Sequence, residues 1–183
     1  MLELAGASLY TIRLKLHDSH KSLAPEVDNM MRGLASASPN IHCLTLSRDH
    51  QALPLGKPLL AVTLQWTHLR DVRLYSISAT NELINAFSSL TYLRTLRLRS
   101  CLRNTFTNRY HSASLPDVEL AHCDLNTRTT FLSSLDSPRL RSVEISPPVR
   151  SRWSRDRFIE VVCALSKNPN LEEICITKSG RGL

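Results

Sequence analysis

The chain has little glycine. Its five glycines stand at positions 6, 33, 56, 180 and 182, so neither a glycine-rich phosphate loop nor a nucleophile elbow can be built. The five cysteines are an odd number without Cys-x-x-Cys spacing, and no Asn-x-Ser/Thr acceptor occurs, so an oxidised, glycosylated exterior is not indicated. No apolar run approaches the roughly 18 residues that span a bilayer. The first residues, MLELAGAS, carry Glu3 and no basic lead into an apolar segment, which argues against a secretory leader. A place in the cytoplasm or nucleus is expected. His17-x-x-His20 is the one close histidine pair, and a metal there would need His42 or Cys43 from elsewhere in the chain. A nucleophilic cysteine needs a base poised against it and a depressed pKa, and the sequence establishes neither. The chain is therefore expected to be no enzyme and to hold no metal or cofactor.

What is abundant is leucine in a fixed frame. From Leu93 to Cys101 the chain reads Leu93-x-x-Leu96-x-Leu98-x-x-Cys101, and Leu96 and Leu98 alternate with Arg97 and Arg99. Period two predicts a short strand with one apolar and one wet face. The frame recurs, with Ile or Val allowed, at Leu9-Ile12-Leu14, Ile41-Leu44-Leu46, Leu69-Val72-Leu74, Leu115-Val118-Leu120, Leu140-Val143-Ile145 and Leu171-Ile174-Ile176. Start-to-start spacings of 32, 28, 24, 22, 25 and 31 scatter around the roughly 20–29 residues of a leucine-rich repeat.

Between the strands the period changes. Val27, Met30, Met31 and Leu34 fall at helical spacing, with Pro25 suited to the first turn, Glu26 and Asp28 on the favourable end of the dipole, and Gly33 with the stretch 36–39 marking the exit. Leu83, Ile84, Phe87 and Leu90 predict a second helix, and Phe131, Leu132 and Leu135 face inward from a short one over 128–135. After Ser154, Phe158, Val161, Val162 and Leu165 repeat the inward spacing. The run 59–66 reads equally as helix or strand, and 103–114 reads as an irregular loop. Strand and helix alternating at this period predict an α/β fold: a right-handed leucine-rich-repeat solenoid with a parallel concave sheet and helices and loops on the convex side. With 42% hydrophobic residues, the 183-residue chain is expected to form a single domain over 1–183, of about seven irregular repeats, burying about 70% of its unfolded surface. It lacks clear caps at either end, which predicts a fragment or a partner-dependent piece.

Cys101 and Cys123 sit three positions after the last strand leucine, where a small residue can bond to the turning backbone. On these residues the chain resembles the cysteine-containing leucine-rich repeats of F-box substrate receptors, notably the divergent fungal ones. The best-matching segments are 93–101, 115–125 and 170–176. In the other repeats the cysteine slot holds His17, Asp49, Ile77, Pro148 and Ser179, so the ladder is irregular. No F-box segment is found, so the resemblance implies the receptor half of a ubiquitin-ligase subunit, which would meet the ligase adaptor through a missing F-box.

On such a sheet the partner-binding residues flank the buried leucines. One column reads Arg13, Thr45, Arg73, Arg97, Glu119, Glu144 and Cys175, and its neighbour reads Lys15, Ser47, Tyr75, Arg99, Ala121, Ser146 and Thr177. Basic residues lead and acidic ones follow along about 29 Å of stacked strands. An acidic protein partner suits the Arg73, Arg97 and Arg99 end, with Tyr75 as an aromatic anchor. The net charge of +7 raises an alternative: Arg139, Arg141, Arg150, Arg152, Arg155 and Arg157 surround Trp153 and would suit nucleic acid. The bland reading of that run is a solvated loop and helix start.

Overall fold

The structure is a computed structural model that describes residues 9–16, 23–48, 56–101, 109–123, 125–146 and 155–177. It is an α/β fold. In chain order the elements are β1 (Thr11–Leu16), α1 (Leu23–Ala37), β2 (Cys43–Arg48), α2 (Gly56–Thr63), β3 (Asp71–Tyr75), α3 (Asn81–Ser88), β4 (Thr95–Arg99), β5 (Tyr110–His111), β6 (Asp117–Ala121), α4 (Leu125–Ser134), β7 (Leu135–Asp136), β8 (Ser142–Ser146), α5 (Arg155–Leu165) and β9 (Glu173–Ile176). Seven strands form one parallel sheet in the order β1-β2-β3-β4-β6-β8-β9.

Register follows the leucine frame without a slip. Ile12, Leu44, Val72, Leu96, Val118, Val143 and Ile174 stand side by side across the sheet, and so do Leu14, Leu46, Leu74, Leu98, Leu120, Ile145 and Ile176. A shift of one residue in any strand would turn its apolar side chains to water, so the pattern itself enforces the pairing. The buried apolar residues of strands and helices join in one continuous core.

The helices settle on the apolar face of the sheet, α1 against α2, α2 against α3, and α4 against α5. In α1, Val27, Met31, Leu34 and Ala35 are buried while Arg32 reaches back one turn to Asp28 at 3.1 Å. The ambiguous run 59–66 is resolved as α2 and the turn after it: Leu59, Val62, Thr63 and Trp66 are buried at helical spacing. Pro58 falls in the first turn, where its missing N–H leaves no intrahelical bond unmade. Thr80 caps α3, its hydroxyl accepting from the Leu83 N–H at 3.3 Å.

Three expectations are corrected. Phe158 was expected to face inward, but it is 42% exposed, because α5 packs on α4 and turns Val161, Ala164 and Leu165 into the core instead. The stretch 103–114 is not wholly irregular: β5 pairs with β7 in a second, two-stranded parallel sheet. Tyr110 is buried there and its hydroxyl donates to Asn81 Oδ1 at 2.6 Å; residues 102–108 lie outside the described part. Ile174 keeps its register but is 38% exposed, and Ile176 is 39% exposed. Both lie on the strand with a neighbour on one side only.

The turn after three of the strands is the same. Ser76, Ser100 and His122 all have φ near +55°, at 55, 55 and 53°. Each non-glycine residue there costs roughly 1 kcal/mol or more. What holds it is bonding to both neighbours. The Ser100 N–H donates forward to Ala121 O at 2.8 Å, and the Cys101 thiol donates back to Leu74 O at 3.0 Å. Cys123 repeats the backward bond, to Leu98 O at 3.8 Å. Burial pushes the Cys101 thiol up to about 12, so it stays neutral and acts as a donor rather than a nucleophile. Mass-spectrometric alkylation of the folded chain should therefore label the exposed Cys163 first and the half-buried Cys43 and Cys175 more slowly. Cys101 and Cys123 should react only in denaturant, and early labelling of either would refute the turn.

Candidate functional site

Among the described residues the other face of the sheet carries no helix, and its side chains line up by the same register that aligns the core. Arg13, Thr45, Arg73, Arg97, Glu119, Glu144 and Cys175 form one row. Lys15, Ser47, Tyr75, Arg99, Ala121 and Ser146 form the next. Arg13, Lys15 and Arg99 are exposed, Tyr75, Arg73, Arg97, Glu119 and Glu144 are half-buried, and Ala121 is buried. All eight expected partner-binding residues thus share one face.

A third row, Thr11, Cys43, Asp71, Thr95, Asp117, Ser142 and Glu173, was missed by reading the sequence around the leucines alone. It changes the electrostatics. Asp71 grips Arg73 in a two-bond fork, 2.6 Å from Nη2 and 3.1 Å from Nε. Arg97 Nε lies 3.3 Å from Glu119 Oε2 on the next strand. Two of the arginines expected to greet a partner are thus held by neighbouring carboxylates, which orients them and reduces their net pull. The signal was present in the sequence, since residues i and i+2 of a strand share a face.

Thr95, Arg97, Asp117, Glu119, Ser142 and Glu144 surround a small hollow of about 170 Å³. Burial raises the Glu119 carboxyl above the ordinary carboxylate range, Arg97 pulls it back, and Glu144 raises it again. A raised folded-state value means that Glu119 favours folding when protonated. That contribution is present below its ordinary value of 4.5 and is lost as pH rises through the raised one. Substituting Arg97→Gln should raise the Glu119 value further, read by carboxyl-carbon NMR titration; an unchanged or lower value would contradict the pair. Glu144 accepts from Thr177 Oγ1 at 3.4 Å, and Thr177 also shares a hydrogen bond with the Ser146 hydroxyl.

The second expected surface is only partly in view. Arg150, Arg152 and Trp153 lie outside the described residues, as do His17 and His20. Arg155 opens α5 and is exposed, and Arg157 belongs to the same helix. Among the described residues no three His, Cys, Asp or Glu side chains converge as metal ligands, and no helix is long and apolar enough to cross a membrane.

The rim that leads into the strands was not anticipated. Tyr10, His42, His68 and Tyr92 come from four successive strand approaches and form a ladder of rings with centroids 5.1, 6.3 and 5.7 Å apart, the last pair stacked. Burial, Arg70 and His68 together lower the His42 value, favouring a neutral ring. Beyond Tyr92 the rim opens into a cleft of about 830 Å³ lined by Arg94, Ser114, Asp117, Arg139, Arg141 and Glu172 among others. Two of the rings stand one residue after the frame's first apolar position and two stand one before it, so no single repeat position reveals the ladder. A scan against protein-family models finds no match for this chain, and neither does a search of curated proteins.

Proposed function

We propose that the chain is a leucine-rich-repeat solenoid that acts by recognition rather than catalysis, taking a protein partner on the concave, helix-free face of its sheet. The observation that carries this reading is the register. Six strands put Arg13, Arg73 and Arg97 in one row with Glu119 and Glu144, so charge runs from basic to acidic along about 24 Å. A surface of that length and polarity fits an extended peptide or a helix with acidic residues toward one end and basic residues toward the other. The repeat frame and the buried Cys101 and Cys123 favour the F-box-type receptor reading, in which this face selects a substrate for ubiquitin ligation in the cytoplasm or nucleus. That step rests on analogy of fold.

The test is affinity purification of the full chain from cells, read by mass spectrometry, beside the double variant Arg97→Glu with Arg99→Glu. Recovery of a protein that binds the purified chain directly and is lost with the variant supports the site. Co-recovery of a ligase adaptor supports the receptor role, and a partner retained by the folded variant overturns the assignment of this face.

A further inference from the structure

We infer that the rim leading into the strands is a second interaction surface, one that holds single-stranded RNA, with a base stacked on Tyr92 and phosphates on Arg94 and Arg139. It adjoins the helix-free face proposed for a protein partner, with Asp117 on the border between them.

Exposed guanidinium groups beside an ordered ring point to the ligand. On the sheet face, Arg73 and Arg97 are already matched by Asp71 and Glu119. On the rim, Arg70, Arg94 and Arg139 are exposed and have no ion-pair partner among the described residues. Arg141 has only Glu172 at 3.7 Å, and both side chains are about two-thirds exposed, at 67% and 69%. Such a pair in water is weak and readily exchanged for a phosphate. Guanidinium groups left with spare donors are the chemistry that phosphodiesters need.

The rings supply the second half. Tyr92 ends the ladder, with His68 stacked on one side at 5.7 Å, and it is 53% exposed. Ser114 holds the same rim position one strand further on and lines the cleft, so Tyr92 stands at the cleft's edge. A nucleobase laid on Tyr92 would extend a stack that the protein has already ordered, and its phosphates would fall toward Arg94 and Arg139. The cleft volume of about 830 Å³ is ample for such an occupant. Asp117 and Glu172, also in its lining, repel phosphate but accept hydrogen bonds from ribose hydroxyls, which favours RNA over DNA.

The experiment is fluorescence anisotropy of a labelled 12-nucleotide oligouridylate titrated with the full chain. Saturable binding at 50 mM salt is expected, with a log–log salt slope of about −2 to −3 for three or four phosphate contacts. Tyr92→Ala should weaken it on the order of 10-fold. Arg94→Gln with Arg139→Gln should weaken it and reduce the slope by about 1.4. Arg97→Gln should leave it unchanged, and oligothymidylate should bind less well. Thermal melts of each variant establish that it is folded. Absence of saturable binding, rim variants that bind as the parent does, or an equal loss in Arg97→Gln would each overturn the proposal. Equal affinity for oligothymidylate would overturn the assignment to RNA. Equal affinity for polyglutamate would reassign the rim to acidic proteins.

Discussion

Replacing Trp66 with alanine is expected to destabilise the fold by about 3–5 kcal/mol, the range for deleting a large buried aromatic. The indole is fully buried, and its Nε1–H donates to the Ser38 carbonyl at 3.0 Å. That bond ties the residue just past α2 to the exit of α1, across the first pair of helices that touch. Alanine would leave a void and remove the indole's hydrogen bond to the carbonyl of Ser38, itself buried. Trp66→Phe should fill most of the volume and still lose about 0.5–1.5 kcal/mol through the missing hydrogen bond. Because domains of this size are stable by only about 5–15 kcal/mol, the alanine variant should shift the urea midpoint far toward zero. A loss below about 1 kcal/mol would mean that this junction does not hold the first two helices together.

Reversing charge on the sheet, Arg97→Glu with Arg99→Glu, is expected to weaken partner capture by at least about 30-fold, since removing one member of a close interfacial charge pair costs about 2–5 kcal/mol. The same change should barely affect folding. Arg97 is half-buried and Arg99 exposed, and like charges directly opposite one another on a sheet cost only about 0.2–1 kcal/mol each. The carboxylate at position 97 would face Glu119, whose own carboxyl is already raised by burial and by Glu144. Binding and stability should therefore separate: a melting temperature within a few degrees of the parent, and loss of the captured protein. A captured partner that survives the double change would place the contact surface elsewhere on the chain.

Some features were written into the residues because their cause is local. Alternation of period two told every strand which side chains to bury, and the same alternation put Arg13, Arg73, Arg97, Glu119 and Glu144 on one row of the sheet. The cysteines at 101 and 123 were legible for the same reason, since the turn they serve follows the last strand leucine by a fixed step. Other features depended on what stands opposite. The stretch 59–66 became helix because Leu59, Val62 and Trp66 found a core to enter. Phe158 stayed outside because α5 turns Val161, Ala164 and Leu165 into the core, and helical spacing alone cannot say which of two apolar stripes will be covered.

The sequence by itself thus determined the strands, their common register and which face of each is wet, since alternation acts over a few residues and a slipped register would put leucine in water. Only the tertiary structure decided which arginines are neutralised, that Tyr110 builds a second small sheet, and that Tyr10, His42, His68 and Tyr92 meet along a rim ending at an arginine-lined cleft. Those contacts join residues tens of positions apart at unequal spacings, and a pattern read along one chain carries no term for such distances.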